Sequence, residues 1–213
     1  MPDKRGKKSY IPPMHLTFLT PLYDIGCTLM GMGKRFRHAI IDRLGIAGTE
    51  KVLDAGCGTG ALLMTLKERY PGVVASGLDP DETALEIAKR KSKGKGLDIK
   101  WHLGFMEGMP FEDGSFDIVI STLAFHHINP EKKLQALMEC RRVLRPTGRM
   151  VLVDIAPDET GFLGRLVYRI LSMFEHLMKV DQIMAMMKEA GFSEVRNLER
   201  YGHGVTFIEG RKV

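Results

Sequence analysis

One run of residues combines a carboxylate with a tight glycine spacing. In Val52-Leu53-Asp54-Ala55-Gly56-Cys57-Gly58-Thr59-Gly60 an apolar stretch ends in an acid and breaks into a turn. Gly56, Gly58 and Gly60 permit backbone angles and close ligand approach that a Cβ would block. A helical pattern follows at once in Ala61, Leu62, Leu63 and Leu66, and the first turn of a helix offers N–H groups without intrahelical partners. A second apolar stretch, Val73 to Leu78, ends in Asp79. A carboxylate at that place accepts hydrogen bonds from both hydroxyls of a ribose, with capping of the next helix as the structural alternative. The GxGxG spacing differs from the GxGxxG that seats a dinucleotide pyrophosphate. Asp54 opposes a pyrophosphate and favours a cationic ammonium group. The ligand chemistry implied is a nucleoside with an amino-acid end.

A second group of reactive side chains, His126 and His127, follows the apolar run Phe116–Ser121. Either imidazole can act as a general base. Their adjacency predicts side chains that diverge, and capping of the helix at 131–144 is the structural alternative. His176 and His203 read as structural or solvated. No Cys or His spacing matches a metal motif.

The elements that must position these groups alternate. Short apolar strands are predicted at 51–55, 73–79, 98–103, 115–121 and 149–155, and helices at 60–70, 81–95 and 131–144. This pattern builds a parallel sheet from right-handed βαβ units, with ligands at the carboxyl ends of the strands. Residues 162–178 carry a broad apolar helical stripe, a second helix runs from about 180 to Ala190 and stops at Gly191, and strand-like runs at 194–199 and 205–211 suit an antiparallel pair. Residues 1–13 read as a basic flexible tail, 14–46 as an N-terminal helical lid, and 47–213 as the core, with a helical acceptor-site insertion at about 158–180.

Composition narrows the function classes. The 213 residues carry a formal charge of +5, much of it in the tail through Lys4, Arg5, Lys7 and Lys8. No aromatics interleave these charges, so no nucleic-acid partner is expected. No apolar run reaches the roughly 20 residues of a membrane span, and no apolar segment follows the basic N-terminus as in a secretory signal. Peripheral membrane contact is not expected. Cys27, Cys57 and Cys140 form neither an even disulfide framework nor a CxxC pair, so a reducing cytoplasm is the expected compartment. Five of the 14 methionines fall between 173 and 187. They fill a core or line an apolar acceptor site, and an exposed part of that helix can pair two chains, so monomer and homodimer are both open.

The order VLDAGCGTG, an acid after the second strand, GMPFEDGSFDIVIS, and a strand ending in Asp154 resembles the class I S-adenosyl-L-methionine (SAM)-dependent methyltransferases over residues 20–155. Tyr23-Asp24, Leu29-Met30-Gly31-Met32-Gly33 with Lys34-Arg35-Phe36-Arg37, Glu189-Ala190-Gly191-Phe192-Ser193-Glu194-Val195 and Gly204-Val205-Thr206 resemble the quinone-biosynthesis C-methyltransferases and their lipid-methylating relatives. The resemblance implies a Rossmann-like, doubly wound, mostly parallel seven-stranded sheet with an antiparallel C-terminal strand and helices on both faces. It implies SAM as cofactor and S-adenosyl-L-homocysteine (SAH) as product. Asp54, Gly56, Cys57, Gly58, Thr59 and Gly60 would line the methionine end, and Asp79 would bind the ribose. Pro80, Phe105, Met106 and Glu107 would border the adenine, Ser121 would stand near the methionine portion, and Tyr23 would come from the lid. Many relatives carry an Asp-Ala pair where this chain has Phe105-Met106, and Phe105 cannot accept a hydrogen bond from the adenine amino group.

The expected reaction moves the sulfonium methyl to a small, apolar acceptor: a quinol-type carbon, a lipid amine or a thiol. His126 or His127 would serve as base where the acceptor must lose a proton. A non-catalytic SAM- or SAH-binding scaffold and an NAD-dependent oxidoreductase are the competing readings. Cofactor binding without transfer would mark the first, and NADH binding the second.

Overall fold

A computed structural model of the chain describes residues 33–155, 177–201 and 204–213. The tail, Tyr23, most of the expected lid, the insertion up to residue 176, His176 and His203 lie outside the described residues. The elements run α1 (Lys34–Arg43), β1 (Lys51–Ala55), α2 (Ala61–Arg69), β2 (Val74–Asp79), α3 (Glu82–Gly94), β3 (Ile99–Leu103), β4 (Phe116–Thr122), a 3-10 turn (Phe125–His127), α4 (Pro130–Val143), β5 (Leu144–Ile155), α5 (Val180–Glu189), β6 (Ser193–Tyr201) and β7 (Val205–Arg211).

The seven strands order as β3-β2-β1-β4-β5-β7-β6. Every pairing among β1 to β5 is parallel, and β7 runs antiparallel to both β5 and β6. The expected doubly wound, mostly parallel sheet with an antiparallel C-terminal strand is therefore the observed one. Strand residues alternate between faces, so the near-continuous apolar runs feed two cores. On one face Leu53, Val119, Leu152 and Ile208 pack with Leu137 and Cys140 of α4 and with Ile183 and Met187 of α5. On the other, Val52, Ile118, Val151 and Phe207 pack with Phe36 and Ile40 of α1, Leu63 of α2 and Leu85 of α3. Helix α1 thus lies within the second core, where the Phe36 and Tyr201 rings stand 4.9 Å apart.

Strand β5 begins earlier than its apolar pattern suggests. Phe116 pairs with Leu144, yet Ile118 pairs with Arg149. The intervening Pro146 and Gly148 lie between the expected helix at 131–144 and the expected strand at 149–155. The chain absorbs them as an irregularity of the pairing, with Thr147 left-handed at φ 67°. Among the described residues no helix is long and apolar enough to cross a membrane.

Candidate active site

The two turns that matter leave the sheet at β1 and β4, where the winding reverses from β2-β3 on one side to β5 on the other. After β1, the N–H groups of Gly56 and Cys57 both donate to the Leu78 carbonyl, at 2.8 and 3.0 Å, which ties the glycine turn to β2. Gly56 has φ 84°, and a Cβ there would come within 2.3 Å of the Ala124 Cβ. Only glycine relieves both the backbone strain and this collision. Gly60, also left-handed, is the N-cap of α2 and brings no side chain to its first turn. The Trp101 ring fills the place where its Cβ would stand.

Asp54 sits beside this turn, 2% exposed. Its Oδ1 has no hydrogen-bond partner among the described residues. Burial, and then the charge of Asp79, push its pKa up to about 8. A buried carboxyl oxygen without a donor is costly, and a cationic ammonium is the group that would satisfy it. An anionic pyrophosphate would meet two acids instead.

Asp79 is 7% exposed. Its Oδ2 accepts from the Gly58 N–H at 2.7 Å and its Oδ1 from the Asp81 N–H at 2.9 Å. Burial raises its pKa to about 6, against the pull of these two donors and of His127. The capping alternative belongs to Asp81, whose side chain accepts from Thr83 and Ala84 at the start of α3. Asp79 is left with further lone pairs. Cys57, buried between the glycines, has its thiol pKa pushed well up by burial, so it is no nucleophile. Thr59 is also buried, and Pro80 is half-buried at the end of β2.

The segment leaving β3 lies next to Asp79, because the Gly104 N–H donates to the Asp79 carbonyl at 3.1 Å. Phe105 is 41% exposed and Met106 is buried. The Met106 Cε would stand 3.9 Å from a Cβ on Gly56, so this segment borders the glycine turn. Glu107 pairs with Lys132 of α4 at 2.9 Å. Ser121, near the end of β4, is buried, and its Oγ lacks a hydrogen-bond partner among the described residues.

After β4 the chain turns sharply. Leu123 is left-handed at φ 53°, and its N–H is held by the Val153 carbonyl at 2.8 Å. Such strain persists only where the surroundings enforce it. It launches the 3-10 turn that carries both histidines. The His126 ring is buried, with Nδ1 2.5 Å from Asp154 Oδ1, and its backbone N–H donates to Asp154 Oδ2 at 2.8 Å. The two histidine rings do not diverge as adjacency suggested. Their centroids lie 4.0 Å apart, at an interplanar angle of 47°. Neither caps α4, whose N-cap is Asn129. Asp154 is the functional candidate that sequence reasoning passed over, and its signal was an acid ending the strand beside β4.

The methionines expected either to fill a core or to line an acceptor wall do the former where described. Met187 is fully buried in the α4–α5 core, and Met178, Met184 and Met186 pack against it.

Fold and site together define a class: a Rossmann-like, mostly parallel sheet with two buried acids beside a glycine turn at the carboxyl ends of its strands. Residues 52–148 match the family model described as a methyltransferase domain. Demethylmenaquinone methyltransferase of Thermus thermophilus is 37% identical over 154 residues, covering 71% of this chain and 69% of that one. The enzyme of the same name from Thermotoga maritima is 34% identical over 185 residues, covering 76% and 78%. A solved SAM-dependent methyltransferase from Thermotoga maritima, described as a possible histamine N-methyltransferase, superposes with a TM-score of 0.71 at 22% identity, covering 92% of this chain and 97% of that one. The chain belongs to the SAM-dependent methyltransferase family, and its cofactor is SAM.

Proposed function

We propose that this methyltransferase alkylates a ring carbon of a small hydroquinone, with His126 taking the phenolic proton. The buried His126–Asp154 pair carries this reading. Asp154 at Nδ1 favours the tautomer protonated there, which places the basic lone pair of the ring on Nε2. Removing a proton from a phenol raises electron density at the neighbouring ring carbons. A carbon nucleophile needs that help, whereas a neutral amine or a thiolate does not. The two demethylmenaquinone methyltransferases support an acceptor of quinone type.

When bound, SAM supplies a methyl group activated by its sulfonium. In this reading Asp54 holds the ammonium, and Gly56, Cys57, Gly58, Thr59 and Gly60 line the methionine end with Ser121. Asp79 accepts from the ribose, while Pro80, Phe105, Met106 and Glu107 border the base. His127 packs on the His126 ring. The protein's contribution is orientation and exclusion of water.

The test supplies SAM and a reduced naphthoquinone with an unsubstituted ring carbon, under anaerobic conditions, beside amine and thiol acceptors. The expected product is methylated at carbon. His126→Ala is expected to lower kcat while the dissociation constant for SAH stays unchanged. Methylation of only the amine or thiol would replace the hydroquinone reading, and undiminished kcat in His126→Ala would remove the base.

A further inference from the structure

Asp54 lies at the end of β1 and Asp79 ends β2, and β3 follows at the sheet edge. A ligand with its ammonium on the first acid and its ribose on the second runs along the carboxyl edge of the sheet toward β3. Its base then meets the segment that leaves β3. That segment is held beside Asp79 through the Gly104 N–H and closed by a bridge between Phe105 and Gly108.

The acids described around this segment already have donors. Glu107, its side chain 13% exposed, pairs with Lys132. Both Asp79 oxygens accept backbone N–H groups, and Asp81 caps α3. The side chain turned outward is Phe105, 41% exposed, beside the buried thioether of Met106. An aromatic ring recognises the π face that every purine shares and does not read the substituent at position 6.

We propose that Phe105 makes this enzyme recognise the cofactor base by stacking, so that it tolerates changes at the purine 6-position. A 6-oxo or N6-methylamino purine is then bound almost as well as adenine. Phe105 becomes a specificity-determining residue for the cofactor, and the inference rests on the SAM-site reading above.

The experiment compares SAH, S-inosyl-L-homocysteine and N6-methyl-SAH by calorimetric titration of the full chain. Reading of the amino group by a charged acceptor would separate SAH from the inosyl compound by roughly tenfold or more. The expected result is a spread within about threefold, well below what such a hydrogen bond gives. Phe105→Ala should weaken all three together by roughly fivefold or more, through loss of stacking. Phe105→Asn, which restores an acceptor without adding charge, should open a preference for SAH. Because Phe105 is exposed, both variants should melt as the parent does. A parent preference for SAH of tenfold or more overturns the proposal, as does Phe105→Ala leaving all constants unchanged. Failure of SAH itself to bind would overturn the site reading and the proposal with it.

Discussion

Asp54 and Asp154 hold matched positions on two strands of one sheet, each next to the last residue of its strand and each 2% exposed. Their partners differ. Asp154 receives the His126 backbone N–H, the His126 ring and the Ile155 N–H. Among the described residues Asp54 keeps an oxygen without a donor, and Asp79 adds a like charge to its surroundings. The same residue at the same depth is satisfied by the protein in one turn and, in our proposal, completed by a ligand cation in the other. In that proposal the pairing of each acid, rather than its burial, separates a group that organises the site from one that binds.

Exchanging the two acids for neutral residues should therefore give opposite signatures. Asp54→Ala is expected to weaken SAH binding by roughly a hundredfold, the upper range for a charged hydrogen bond, while chemical denaturation shows no loss of stability. Asp154→Ala should do the reverse. It strips the acceptor from buried donors and should cost about 1–3 kcal/mol of unfolding free energy, with kcat reduced and SAH affinity unchanged. A ligand defect in Asp154→Ala, or a stability defect in Asp54→Ala, would break the contrast.

Asp79 falls between these two cases, because it braces Gly58 and is proposed to face the ribose. Asp79→Ala should weaken SAH about tenfold and also lower stability, in a single set of titrations and melts. An unchanged dissociation constant would reduce Asp79 to a brace for the turn.

A separate effect concerns stability against pH in the cofactor-free protein. The folded-state pKa of Asp54, about 8, lies above its unfolded value. Folding therefore favours the protonated form. That contribution is complete below about pH 4 and is lost as pH rises through about 8. Asp79, at about 6, adds in the same direction over a narrower window. Melting curves should show Asp54→Asn flattening the decline between pH 6 and 8, in proportion to the proton that the acid no longer loses.

Much of this contrast can be read along the chain on one side of the site and little of it on the other. Asp54, the glycines and Asp79 announce themselves because each sits at a local boundary between an apolar strand and a turn. The strands and helices around them have the expected positions for the same reason, since hydrophobic periodicity is a short-range signal. The His126–Asp154 pair joins residues 28 apart, and nothing local marks the two as partners. The left-handed Leu123 that aims the histidines is a β-to-turn distortion enforced by the Val153 carbonyl on the next strand. The early start of β5 arises likewise from tertiary pairing of Leu144 with Phe116. Capping was legible in type but not in owner. Asp81 and Asn129 do the work for which Asp79 and the histidines were the candidates.

The most direct test of Asp54 as the ammonium site is the proton balance of SAH binding at pH 7, from titrations in buffers of different ionisation enthalpy. Asp54 is protonated in the free protein at that pH and ionised when it faces the ammonium. Binding should release about one proton in the parent and none in Asp54→Asn, following the linkage between ionisation and binding. No proton release in the parent, or equal release in both proteins, would contradict this assignment of Asp54.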